Sequence, residues 1–162
     1  EDPESYNRIT PRIVSETPDC YFPDQHNNRE NNESHYNSTG PEIWEQMDGN
    51  LDAVVAGVGS GGTITGLAEF FKEKDPNVQM VAADPKGSIV ADAIIKGSFS
   101  YEGGTWLVEG VGEDFIPDNL NIVFLKKNNM SKIYNWAYIL NMLENNIWEM
   151  LIVILQNWML IF

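Results

Sequence analysis

The run Gly57-Val58-Gly59-Ser60-Gly61-Gly62-Thr63 interleaves four glycines with two hydroxyl side chains, residue types that let a backbone close around an anion. Glycine permits positive φ and removes side chains that would hold a ligand off the backbone, and the N–H groups that open a helix have no intrahelical partner. Ser60 and Thr63 add O–H donors, and each charge-assisted hydrogen bond contributes roughly 1.5–3 kcal/mol. No lysine or arginine is required. Spacing alone leaves three readings open. The loop suits a small phosphate ligand. Gly57-x-Gly59-x-x-Gly62 also satisfies the dinucleotide fingerprint, with Asp84, 22 residues beyond Gly62, placed where an acid would meet a ribose. The third reading is a turn that only lets a strand and a helix pack closely.

Such a loop works only between a strand and a helix, and both flanks are legible. Asp52 to Ala56 is a short apolar run of the kind that forms a strand buried on both faces. Thr63 to Lys74 places Ile64, Leu67, Ala68 and Phe71 on one helical face, and Asp75-Pro76-Asn77 stops it. Val78 to Ala83 reads as a second strand, completing a βαβ unit. Residues 1–41 are rich in Asn, Glu, Pro and Ser and are expected to be extended chain and turns, with a short helix over Glu42 to Met47. A further helix is expected over Ile89 to Lys96, and short strands at Trp106 to Val108 and Ile122 to Leu125.

The chain has 162 residues and 43% hydrophobic content, enough for one domain with a real core. Its formal charge of -14 repels phosphate backbones and anionic membrane surfaces, so neither nucleic acid nor membrane is an expected partner. The single cysteine, Cys20, is read as an inert thiol and suits a reducing cytoplasm. From Asn128 onward the composition shifts: all 13 glycines lie at or before Gly112. Met150 to Phe162 is apolar but short of the roughly 20 residues that span a bilayer, and is expected to be a packed helix. The organisation expected is therefore a domain over 1–127 and an atypical apolar helical tail over 128–162.

Several separated stretches carry a resemblance: Asp24-Gln25; His35-Tyr36-Asn37-Ser38-Thr39-Gly40-Pro41-Glu42-Ile43-Trp44; the run Gly57 to Gly66; Asp84-Pro85-Lys86-Gly87-Ser88; and Val108 to Pro117. In this order and spacing the stretch from Tyr21 to about Lys127 resembles the cystathionine β-synthase and cysteine synthase family of fold type II pyridoxal-phosphate enzymes, especially its bacterial cystathionine β-synthase-like members. The resemblance implies an α/β fold, a Rossmann-like three-layer sheet as in the tryptophan synthase β-like enzymes. It implies that Gly59, Ser60, Gly61, Gly62 and Thr63 hold the 5′-phosphate of pyridoxal 5'-phosphate. It further implies that Gly110 lines the cofactor cleft and that Gln25 contacts the substrate carboxylate. Asp84 then becomes a strand-end residue rather than a ribose ligand. The reaction implied is β-replacement, joining serine or an activated serine to a thiol, with cystathionine formation favoured by Glu109 to Pro117. The complete parent is expected to be a homo-oligomer.

The pattern also breaks. None of the seven lysines, at 72, 74, 86, 96, 126, 127 and 132, stands in the family's Schiff-base motif, so no catalytic residue is assigned. The tail from Asn128 does not continue the family, and the chain is expected to be an incomplete or frameshifted piece that is inactive alone. The alternatives are a nicotinamide-binding oxidoreductase domain and a non-catalytic anion-binding remnant. His26 and His35 are nine apart with no third metal-type ligand, so no metal site is expected. His35 is read as a brace behind the cleft, and Glu113 either faces substrate or is a solvated loop carboxylate. Gly61→Val is expected to abolish anion binding by placing a side chain where the phosphate sits.

Overall fold

The computed structural model describes residues 5–97, 103–127, 132–135, 151–155 and 158–161. Its helices are α1 (Tyr6–Glu16), α2 (Glu30–Ser34), α3 (Gly40–Gln46), α4 (Gly62–Lys74), α5 (Val90–Lys96) and α6 (Ile122–Lys127). Its strands are β1 (Ala53–Gly57), β2 (Gln79–Asp84), β3 (Lys132–Asn135), β4 (Leu151–Leu155) and β5 (Trp158–Ile161). They form one sheet in the order β3-β2-β1-β4-β5. β1 runs parallel to both β2 and β4, β2 runs parallel to β3, and β5 returns antiparallel to β4.

The centre of the sheet follows from the sequence. β1 is buried along its whole length and β2 at every residue after Gln79, as expected of short apolar strands flanked on both edges and faces. Val54 and Ala56 of β1 and Met80 and Ala82 of β2 share one core with Ile64, Leu67, Ala68 and Phe71 of α4. Ile43 of α3, Val90 and Ile94 of α5, and Leu120 and Leu125 close the same core. β1, α4, β2 and α5 stand where the periodicity put them, within a residue or so at each end.

Other segments differ from the expectation. Residues 1–41 are not all extended chain, because α1, α2 and a π-helical turn at His35–Thr39 lie within them. Tyr6, Ile9 and Ile13 already recur at helical spacing in α1, although Pro11 lies inside it. Ile122–Lys127 is a helix rather than a strand. Asn121 Oδ1 accepts the Phe124 N–H at 3.0 Å, a side-chain cap that starts a helix on an apolar run too short to show its period. Trp106 to Val108 forms no strand, and Leu107 is fully exposed. The apolar tail forms β4 and β5 rather than a packed helix. The β-branched run Ile152-Val153-Ile154 favours a strand, and residues 156–157 separate it from its antiparallel partner. No helix among the described residues is long and apolar enough to cross a membrane.

Candidate anion and cofactor site

The glycine loop leaves the C-terminal end of β1 and turns directly into α4. Gly61 sits at the helix N-cap with φ +81°, a left-handed conformation, and among the described residues no side chain caps the helix. The first intrahelical bond runs from Thr65 N–H to Gly61 C=O at 3.1 Å. The N–H groups of Gly62, Thr63 and Ile64 therefore precede the helical ladder, at the positive end of a 13-residue helix. Gly59 to Gly62 are buried and Thr63 is half-buried, so an anion held here would meet these donors with little competing water.

The loop is held from two sides. A Cβ at Gly61 would lie 2.8 Å from both the Cβ and the backbone N of Leu120, and one at Gly62 would run into the Asn31 amide. Contrary to the expectation from sequence, a Gly61→Val side chain strikes the Leu120 segment, on top of the cost of a positive φ, instead of entering a phosphate position. Asn31 Nδ2 donates to Ser60 Oγ at 3.1 Å and to Gln25 C=O at 2.8 Å. Asn119 Nδ2 donates to the same Gln25 carbonyl at 2.7 Å, Asn119 N–H donates to His26 C=O at 3.1 Å, and Asn32 Nδ2 donates to Asn119 C=O at 2.8 Å. The Gln25-His26 backbone and the glycine loop are therefore parts of one amide network.

Gln25 and Gly110, singled out in the sequence, line one cleft together with Tyr6, His26, Trp106 and Glu113. The five loop residues Gly59 to Thr63 do not line that cleft; Asn31 joins the two. Asn32 lies in a segment expected to be extended chain and turns, yet it is 3% exposed, and Asn119 is 2% exposed. Sequence alone hides their role because the partners lie up to 94 residues away. The signal available was the density of asparagine just after Gln25, since a buried amide must find hydrogen bonds.

Glu113 stands at the rim of the network. Ser88 Oγ lies 3.1 Å from Glu113 N and 3.2 Å from its C=O, which fastens the Glu113 backbone to the start of α5. Burial lifts the Glu113 carboxyl to about 7, with Asp114 and then Asp84 adding repulsion. His26 Nε2 lies 3.6 Å away, and burial pushes that imidazole below its usual value although Asp24 opposes the shift. Glu113 is thus not a solvated loop carboxylate. His35 bridges Thr39 Oγ1, at 2.9 Å from Nδ1, and Thr63 Oγ1, at 3.1 Å from Nε2. Asp84 is 4% exposed at the end of β2, and its Oδ2 accepts the Ala91 N–H at 2.9 Å. A carboxylate so enclosed has no face to offer a ribose. Among the described residues no cluster of three or more His, Cys, Asp or Glu could hold a metal ion.

Residues 1–135 match the family model described as pyridoxal-phosphate dependent enzyme, and the chain belongs to that family. It is 40% identical over 119 residues to a cystathionine beta-synthase of Apis mellifera, an alignment covering 74% of this chain and 23% of that protein. It is 39% identical over 123 residues to the O-acetylserine dependent cystathionine beta-synthase of Bacillus subtilis, covering 76% of this chain and 36% of that protein. It is 41% identical over 112 residues to cysteine synthase 2 of Schizosaccharomyces pombe, covering 63% and 28%. The chain thus spans about a quarter to a third of the length of these relatives. The family's cofactor carries a phosphate, and the uncapped N-terminus of α4 with its two flanking hydroxyls suits such a group.

Proposed function

We propose that this chain binds the 5′-phosphate of pyridoxal 5'-phosphate on Gly59, Ser60, Gly61, Gly62 and Thr63, as part of a β-replacement enzyme that joins serine or an activated serine to a thiol. The observation that carries the reading is the start of α4. Three backbone N–H groups precede the helical ladder there, no side chain among the described residues caps them, and the Ser60 and Thr63 hydroxyls lie beside them. A phosphate is the anion whose several oxygens use such a donor set fully.

In this reading Gly62, Thr63 and Ile64 bind through their N–H groups, the two hydroxyls add directional donors, and burial of the loop keeps water from competing. Gln25, with its backbone carbonyl held by Asn31 and Asn119, orients the carboxylate of an amino-acid substrate at the cleft it shares with Gly110 and Glu113. When bound, the cofactor supplies the electron sink for negative charge at the substrate α-carbon. That relatives carry the name cystathionine beta-synthase supports cystathionine as the product in this reading, with homocysteine as the thiol. A three-layer Rossmann-like packing and a homo-oligomeric parent in the cytoplasm belong to the same proposal. So does the absence of turnover by the chain alone. Lys72 and Lys74 lie in the last turn of α4, far from its anion-binding start, and Lys96 pairs with Asp92.

Titration of the full chain with inorganic phosphate and with pyridoxal 5'-phosphate, followed by amide NMR, tests the reading. The expected result is weak binding that moves the Gly62, Thr63 and Ile64 amides together, and a roughly tenfold loss in Thr63→Val, which keeps the shape and removes the O–H. Binding that leaves those three amides unmoved would sink it.

A further inference from the structure

A hydroxyl near an anion helps only when its proton points at the anion, and two groups behind this loop decide where those protons go. On the reading that the loop holds a phosphate, we propose that Asn31 and His35 act as positioning donors that occupy the Ser60 and Thr63 oxygens from behind, leaving both hydroxyl protons to the anion.

The orientation of Asn31 is fixed by chemistry. Its Nδ2 faces the Gln25 carbonyl at 2.8 Å, and a carbonyl can only accept, so the nitrogen and oxygen of this amide cannot be exchanged. The same Nδ2 faces Ser60 Oγ at 3.1 Å. Ser60 Oγ is therefore an acceptor toward Asn31, and its own proton is not used in that bond. An aspartate here would have the same shape and the opposite polarity. It would set a carboxylate against the Gln25 carbonyl and draw the Ser60 proton to itself, away from the anion.

His35 stands in the same relation to Thr63. Burial lowers its pKa from the ordinary 6.5, so near neutrality the ring carries one N–H. With that proton on Nε2, the ring donates to Thr63 Oγ1 at 3.1 Å and accepts at Nδ1 from the Thr39 hydroxyl at 2.9 Å. The Thr63 proton is then available to an anion. With the proton on Nδ1 the relay reverses, and the Thr63 hydroxyl must donate to Nε2 and turn away from the ligand. An anion in the loop favours the first arrangement, because only that one adds a charge-assisted bond. The π-helical turn at His35–Thr39 carries both His35 and Thr39 on one short segment packed against α4.

The test is a long-range ¹H–¹⁵N spectrum of the full chain, free and saturated with inorganic phosphate, paired with phosphate titrations of variants. The expected result is a His35 proton on Nε2 in the phosphate-bound chain. Phosphate affinity should fall roughly tenfold in His35→Ala and in Asn31→Asp and return toward wild type in His35→Gln, whose amide N–H can replace Nε2–H. Circular dichroism of each variant separates loss of polarity from loss of fold, and the wild-type tautomer is read without any substitution. Phosphate binding with the proton on Nδ1, or equal affinities for His35→Ala and His35→Gln, overturns the proposal alone. Failure of the wild-type chain to bind phosphate overturns the loop reading, and this proposal with it.

Discussion

Glu113 and His26 face each other as two groups that burial drives toward neutrality, and this makes the cleft sensitive to pH. The Glu113 carboxyl rises from 4.5 to about 7 in the folded chain. Between those values the folded protein keeps a proton that the unfolded chain has released. Its contribution is therefore fully present below about 4.5 and is lost as pH climbs toward 7. His26 works in the opposite sense: its folded value lies below 6.5, so stability declines as pH falls past that point. Glu113→Gln should remove the first slope and leave the second. Above neutrality the variant should be more stable by on the order of 2 kcal/mol, less than the full shift implies because water still reaches the carboxyl. Urea unfolding of both proteins across the range from mildly acid to mildly basic pH measures this. Parallel curves would show that the carboxyl is not lifted.

At the scale of elements, α6 depends on one side chain at its start. Asn121 Oδ1 accepts from Phe124 N–H while Asn121 N–H donates to Thr65 Oγ1 at 3.2 Å. Asn121→Ala should lower stability by about 1 kcal/mol and Asn121→Asp should preserve most of it, as urea midpoints can show. Equal midpoints for wild type and Asn121→Ala would mean that the cap contributes nothing. The same element shows where sequence reading stops. β1, α4 and β2 are legible because apolar runs and a 3.6-residue period say which face is buried. The four apolar residues Ile122 to Leu125 fit either period, and only the asparagine before them decides for helix. The glycine loop, Gln25 and Gly110 are legible from local pattern and resemblance. Asn31, Asn32 and Asn119 are not, because an asparagine looks the same in sequence whether it is solvated or holds two distant backbones together.

Across the whole molecule, β1 and β2 run parallel, so the glycine loop and the Asp84 to Ser88 turn leave the same end of the sheet. β4 supports β1 on its other edge, so the strand that delivers the loop is paired on both sides. The family match covers residues 1–135, and β1, α4 and β2 all lie within it. Leu120 and Asn119, which hold the loop and the Gln25 turn, come from far along the chain and dock on these elements late in sequence. That arrangement has a consequence in hydrogen exchange. We expect the segment that completes the site to open while the sheet stays folded, as local openings need less free energy than global unfolding. Asn119 N–H bonds to the His26 carbonyl and Leu120 N–H to the Pro117 carbonyl, so both amides report on the docked segment. They should exchange faster than the β1 amides in the free chain and slow when phosphate is present, by the factor that mass action assigns to ligand binding only the docked form. If phosphate slows the Asn119 and β1 amides equally, docking and unfolding are one event. If it slows Asn119 alone, the anion is reporting which openings the protein makes while it is still, by every global measure, folded.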